Sequence, residues 1–156
     1  ARHPSITPFE AYKTKDGYII ISAGNDGLFA KLAEALENPG WAEDPDYSSN
    51  DNRNKHVEKL KIEMESVLTT HTTSHWIEVL DKFGVPSGPI NDIGQAATHP
   101  QTIARNMIVS VDDPITGPMK VAGNPIKISG FEDPETREPA PNLDQNREQI
   151  LRELTD

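Results

Sequence analysis

Cysteine is missing from this 156-residue chain, and with it go disulfide frameworks, thiolate nucleophiles and zinc-finger spacings. Long apolar runs are missing too: the longest is the four-residue Tyr18–Ile21, against the ~18 residues of a membrane span. The opening, Ala1 to Ser5, has no apolar core of the signal-peptide kind. Positive charge is scarce, with 15 Lys and Arg against 25 Asp and Glu and a net charge of −10. That balance offers no basic footprint for a polyanion. Neither nucleic acid nor a membrane is expected as a partner, and a cytoplasmic protein is the simplest reading. Hydrophobic residues reach only 35% while prolines number 13, which points to a compact core with proline-rich connections.

The motifs of common catalytic machinery are absent as well. No Gly-x-Ser-x-Gly elbow exposes a nucleophile, and no P-loop lysine follows Gly24-Asn25-Asp26-Gly27. His71 and His75 are four apart, but they fall at a helix break without an HExxH glutamate, so no metal site is expected. Acids concentrate in polar stretches at 43–46, 112–113 and 132–138, where solvation keeps carboxylates ordinary.

What the chain does contain is densest between Tyr12 and Phe29. Asp16-Gly17 is a hairpin signal that predicts a type I′ turn, and Tyr18–Ile21 supplies strand residues. Gly24-Asn25-Asp26 opens a helix as caps rather than as an anion site, because Asp26 puts a carboxylate where the anion belongs. A helical stripe follows at 28, 29, 32 and 36, and Asn38-Pro39-Gly40 stops it. A second helix is predicted from about Asn52 to Leu68, and a third, capped by Thr73 or Ser74, carries Trp76, Ile77, Leu80 and Phe83 before Gly84.

Gly84 to Ile90 reads as a rigid extended connection. Asn91 or Asp92 starts a short helix and His99-Pro100 another. Strands are expected at Met107–Val111 and Met119–Val121, with a further short one at Pro125–Ile128. Residues 132–142 read as an extended tail, and Asp144–Leu154 as a closing helix. The layout is α+β: a small antiparallel sheet with a helical cluster. Two domains of organisation are read, 1–131 as the folded domain and 132–156 as linker and tail helix. His3, in the irregular opening beside Arg2, is the residue that reasoning from the residues alone singles out as a site candidate. Ala1 in place of Met, with Ile6 and Phe9 close behind, reads as the start of an excised piece.

Several motifs in fixed order carry a resemblance. They are Arg2-His3-Pro4-Ser5-Ile6 with Pro8-Phe9, then Lys15-Asp16-Gly17-Tyr18-Ile19, Gly24-Asn25-Asp26 and Phe29. Asp44-Pro45 with Asn50 and Arg53, Trp76, and Gly84-Val85-Pro86-Ser87-Gly88-Pro89-Ile90 come next. Pro100-Gln101 with Arg105 and Met107, then Gly123, Pro125-Ile126-Lys127 and Ser129, complete the series. Together they resemble the smaller domain of class III CoA-transferases of the CaiB/BaiF type, a family that also contains the α-methylacyl-CoA racemases. The resemblance implies a missing large Rossmann-like domain that carries the nucleophilic aspartate, so no catalytic residue is expected in this chain. It implies an acyl-CoA and a carboxylic acid as substrates, a CoA thioester as substrate rather than any tightly bound cofactor, and an interlocked homodimer of the full-length protein. The tail would return to the missing large domain.

By the same resemblance, His3, Pro4, Ser5 and Ile6 line the acyl-CoA site. The loop is closer to the succinyl-CoA:dicarboxylate branch than to the formyl-CoA enzymes, whose glycine-rich lid is absent. The closing Leu143-Asp144-Gln145-Asn146 departs from the family's Leu-Gly-Gln/Glu-His. Two other readings are a 2-methylacyl-CoA epimerase of the same family and a non-catalytic interaction module.

Overall fold

A computed structural model describes residues 2–155 and divides the chain into two compact units, residues 1–90 and 91–156. In the first unit, strands β1 (Phe9–Lys13) and β2 (Tyr18–Ser22) form an antiparallel hairpin, with Tyr12 opposite Ile19 and Glu10 opposite Ile21. The period-2 alternation of a strand turns Tyr12, Ile19 and Ile21 into the core. Helices α1 (Asp26–Ala35), α2 (Asn50–Lys55), α3 (Val57–Leu68) and α4 (Thr73–Phe83) follow. Their apolar stripes deliver Phe29, Leu32 and Leu36, then Leu60, Met64 and Leu68, then Trp76 and Leu80 to the same cluster. Gly84, at φ 68°, closes α4 in the left-handed conformation that glycine adopts without strain.

Several expectations are corrected here. Neither Asp16 nor Gly17 has positive φ, so the hairpin loop is not type I′; it runs over four residues, 14–17. The reason is tertiary: Asp16 Oδ1 accepts hydrogen bonds from Thr73 N (2.7 Å) and Thr73 Oγ1 (2.9 Å), so the turn residue is recruited to the start of α4. The expected single helix over 52–68 is broken at His56, with φ −111° and ψ 24°, which makes α2 a separate short helix. Thr72, rather than Thr73 or Ser74, caps α4 by accepting from His75 N. Ser87–Pro89 is a strand, β3, not a bare connection; it pairs with β2 at the sheet edge, where proline's missing donor is tolerated.

The second unit holds α5 (Ile93–Thr98), α6 (Pro100–Ala104), β4 (Ile108–Asp113), β5 (Gly117–Ala122), β6 (Thr136–Arg137) and α7 (Arg147–Glu153). Asp92 and Gln95 form a reciprocal capping box on α5, and His99 Nδ1 accepts from Gln101 N at the start of α6. The sheet order is β5-β4-β6, with β4–β5 antiparallel and β4–β6 parallel. Pro125–Ile128 is not a strand, because Pro125 cannot donate to a ladder and Asn124 Oδ1 instead accepts from Ile126 N in a local turn. The stretch 132–142 is not wholly an extended tail either, since Thr136 and Arg137 pair with Ser110 and Val111. Asp133 bridges Lys127 and Arg137 nearby. Gly123 is needed at its position: a Cβ there would stand 1.9 Å from the Asn106 carbonyl oxygen. Little apolar surface is covered within this unit. Val109 is its buried hydrophobic residue, while Ile93, Ile126, Phe131, Leu143 and Leu154 are exposed.

Candidate functional site

The opening segment, Arg2 to Pro8, lies against the hairpin as an irregular but pinned loop. Arg2 forms a β-bridge with Glu10, and His3 N donates to Phe9 O at 2.9 Å, so the loop starts on the edge of β1. The His3 ring stacks on Phe9 with centroids 5.4 Å apart and planes 7° from parallel. His3 Nδ1 accepts from Ser5 N at 3.2 Å, which leaves Nε2 as the hydrogen-bearing nitrogen of the neutral ring. Pro4 and Ser5 are exposed, and Ile6 is half-buried. Ile6 Cγ2 comes so near Gly24 that a Cβ there would sit 2.7 Å from it.

What holds this loop is α2. Asn50 lies one turn before Asn54, so both present side chains to one face. Asn50 Nδ2 and Asn54 Nδ2 both donate to the Ser5 carbonyl, at 2.9 and 2.8 Å. Thr7 N donates to Asn50 Oδ1, and Thr7 Oγ1 donates to Asn54 Oδ1. Between them Arg53 is fully buried. Its Nε donates to Thr7 O (2.7 Å), Nη1 to Tyr47 O (2.8 Å) and Nη2 to Asp26 Oδ1 (2.8 Å). The guanidinium also lies 4.5 Å from the Phe29 ring centroid. A buried charge is costly unless paired and hydrogen-bonded, and Arg53 has both kinds of partner. The Thr7–Pro8 peptide bond is cis.

Beside the loop, Arg2, His3, Phe9, Glu10 and Ile20 bound a pocket of about 270 Å³. Glu10 is 5% exposed and pairs with Lys61 Nζ, so its charge is balanced from α3. Tyr12 is driven well above the usual phenol range by burial first, then by the carboxylates of Glu10 and Glu65. Tyr47 is pushed up to about 12 by burial and by donating its hydroxyl to Glu63 at 2.9 Å. Both phenols therefore stay protonated near neutrality, Tyr12 as a packing group and Tyr47 as a packing and hydrogen-bonding one.

The other sequence candidates fall elsewhere. Asn25 caps α1, its side chain accepting from Leu28 N at 2.8 Å, and Asp26 is the carboxylate that Arg53 holds. His71 and His75 stack at 4.3 Å and meet Trp76 edge-on, an aromatic surface cluster around a tryptophan whose Nε1 donates to Leu68 O. A larger cavity in residues 91–156, about 570 Å³, includes Arg105, Lys127 and Arg137, but Asp133 holds the last two. The clamp residues Asn50, Arg53 and Asn54 were not among the predicted site residues. Their partners in the opening loop lie 43 to 49 residues away in sequence, and no local pattern announces such contacts.

Comparison with known proteins identifies the lineage. The profile of CoA-transferase family III matches residues 1–147. The chain belongs to that family. It is 38% identical over 153 residues to acetyl-CoA:oxalate CoA-transferase of Acetobacter aceti, covering 98% of this chain and 38% of the relative. It is 33% identical to succinyl-CoA:glutarate CoA-transferase of Homo sapiens, covering 97% of this chain and 34% of that protein. A solved CaiB/BaiF family protein from Brucella suis superposes with a TM-score of 0.74 at 32% identity, over 98% of this chain and 39% of that one. The family III chain described here thus spans between 34% and 38% of the length of these two curated relatives. The α+β fold read from the sequence agrees with that of the Brucella protein.

Proposed function

We propose that this chain is the smaller domain of an enzyme that moves CoA between an acyl-CoA and a carboxylic acid, with a dicarboxylic acid among its substrates. The observation that carries the reading is the match of nearly the whole chain to relatives that are themselves named as CoA-transferases for oxalate and glutarate. In this reading residues 1–131 are the small domain, and 132–156 return to a large domain that supplies the nucleophilic aspartate. His3, Pro4, Ser5 and Ile6 face the acyl group. CoA enters and leaves as a thioester substrate, no cofactor is held tightly, and the full-length protein works as a homodimer.

Two features of the chain support this division of labour. The carboxylates of Asp16, Asp46 and Asp133 are occupied by hydrogen bonds or ion pairs that hold their pKa values below the usual carboxylate range, and Glu10 is balanced by Lys61. None is a free nucleophile beside the loop. The exposed apolar side chains of 91–156, among them Phe131 and Leu143, are the kind of surface a further domain covers.

The decisive experiment is an exchange assay with succinyl-CoA and free acids on the full-length enzyme and on this chain alone. Turnover by the former and none by the latter is the expected result. CoA exchange by the isolated chain would sink the assignment of the nucleophile to another domain. No exchange by the full-length enzyme with any carboxylic acid would sink the transferase reading itself.

A further inference from the structure

We propose that Arg2 is the receptor for the second carboxylate of a dicarboxylic substrate, and so selects such acids over monocarboxylic ones. This rests on the reading above that the opening loop faces the acyl group. Three observations converge on Arg2. First, it borders the pocket of about 270 Å³ whose other walls include Phe9, Ile20 and the ring of His3. That volume lies under the ~300–1,000 Å³ of drug-sized sites, and its apolar walls suit a short methylene chain.

Second, the charges around the pocket are settled except for this one. Glu10, the acid that borders the pocket, already pairs with Lys61. Among the described residues no carboxylate forms an ion pair with Arg2. On a chain of net charge −10, an anion approaching this surface needs such a local cation, because the overall field repels it. Third, Arg2 is not on a loose end. The bridge to Glu10 and the bond from His3 N to Phe9 O fix its backbone to β1. A guanidinium so based offers a planar fork of donors that matches a carboxylate, and His3 Nε2–H, left as a donor by the bond from Ser5 N to Nδ1, adds another from the same wall.

The chemistry that follows is simple. At the large domain the reacting carboxyl gives up an oxygen and gains the CoA thioester bond, while the donor acyl group loses its thioester bond, takes that oxygen and leaves as a free carboxylate. The alkyl spacer lies against Phe9 and Ile20, and the remote carboxylate is held at Arg2. Monocarboxylic acids of the same length leave the guanidinium without its partner and gain only the apolar contact.

The test compares two five-carbon acceptors, glutarate and pentanoate, in the full-length enzyme. The readout is the ratio of their kcat/KM values. Arg2→Gln is expected to lower that ratio about 10- to 100-fold, the range for losing a charged hydrogen-bonded contact, and Arg2→Lys to recover part of it. An unchanged ratio in Arg2→Gln overturns the proposal, whatever happens to the absolute rates. A binding measurement separates this failure from failure of the transferase reading: the Arg2 Nε–H resonance, followed by NMR, should shift with glutarate and not with pentanoate. If the native enzyme turns over neither acid yet the resonance answers glutarate alone, the carboxylate receptor stands and the transferase reading falls. A resonance that ignores glutarate overturns the receptor.

Discussion

Arg53 Nε donates to the carbonyl oxygen of Thr7 across 2.7 Å, joining a fully buried cation on α2 to a loop 46 residues earlier. That bond ties the opening loop to the core, and the same guanidinium reaches Tyr47 and Asp26. The loop is irregular in backbone but pinned by side-chain hydrogen bonds from α2. Its candidate site residues are therefore presented by a fixed frame, the arrangement a binding loop needs if it is not to lose affinity to ordering.

Replacing Arg53 tests that frame. Arg53→Ala removes a buried charge and strands the Thr7 and Tyr47 carbonyls, a loss of about 3 kcal/mol or more. Arg53→Lys keeps the charge but not the fork, and should still cost about 2 kcal/mol. Chemical denaturation checks both, with an unchanged midpoint for Arg53→Lys ruling out the fork as the feature that matters.

The two asparagines divide the remaining load. Asn54→Ala loses the bonds to Ser5 O and Thr7 Oγ1, each worth ~1 kcal/mol, while Asn50→Ala loses those to Ser5 O and Thr7 N. Because both side chains donate to the same carbonyl, the losses should not add in the double variant. Hydrogen exchange at the Thr7 amide is the local readout: it should quicken in Asn50→Ala more than in Asn54→Ala, since Thr7 N donates to Asn50 alone.

How much of this was legible in sequence depends on the reach of each interaction. The helical stripes of α1, α3 and α4 were readable because their spacing is local, and so were the caps at Asn25, Asp92 and His99. The turn at Asp16-Gly17 was misread because Thr73, far along the chain, claims the Asp16 carboxylate. The break at His56 was missed for a similar reason: its ring Nδ1 lies 3.2 Å from Asp46 O as well as 3.0 Å from Asn52 O. Strand β6 pairs two polar residues with β4, so no apolar alternation marked it. Resemblance pointed to His3 to Ile6 as candidates, but the clamp that holds that loop became visible only in three dimensions.

Asp16 makes the stability of the hairpin–α4 contact depend on pH. Thr73 N and Oγ1 both donate to its carboxylate, and these bonds lower its pKa below the ordinary value. A folded-state value below the unfolded one means the contact stabilises above the unfolded pKa of ~3.9 and is lost as pH falls through the folded value. Stability measured from pH 6 down to pH 2 should therefore drop less steeply in Asp16→Asn than in the native chain. Parallel curves would show that Asp16 bears none of the acid sensitivity.

Gly123 offers a steric prediction in residues 91–156. Its added Cβ would meet the Asn106 carbonyl oxygen at 1.9 Å, where backbone and not a flexible side chain must give way. Gly123→Ala should break the Gly123 N to Met107 O bond of 2.8 Å and open the β4–β5 end to proteolysis. Gly40→Ala, with nothing within 4 Å, is the neutral comparison. Equal protease resistance of the two variants would contradict the close approach.

Gly24 and Ile6 pose the sharpest test of the candidate loop, because they separate packing from chemistry. A Cβ on Gly24 would stand 2.7 Å from Ile6 Cγ2, so Gly24→Ala must push Ile6 and the loop outward. Overpacking of this kind costs ~1–3 kcal/mol. Ile6→Ala removes the offending methyl and, alone, loses the contacts of a half-buried side chain. The double variant Gly24→Ala with Ile6→Ala should be more stable than the sum of the single losses predicts, since the clash requires both side chains. Thermal melts of the four proteins measure that coupling. Exact additivity would mean that the opening loop does not rest on Gly24 ahead of α1, and the presentation of His3 to Ile6 would depend on the α2 clamp and the attachment to β1 instead.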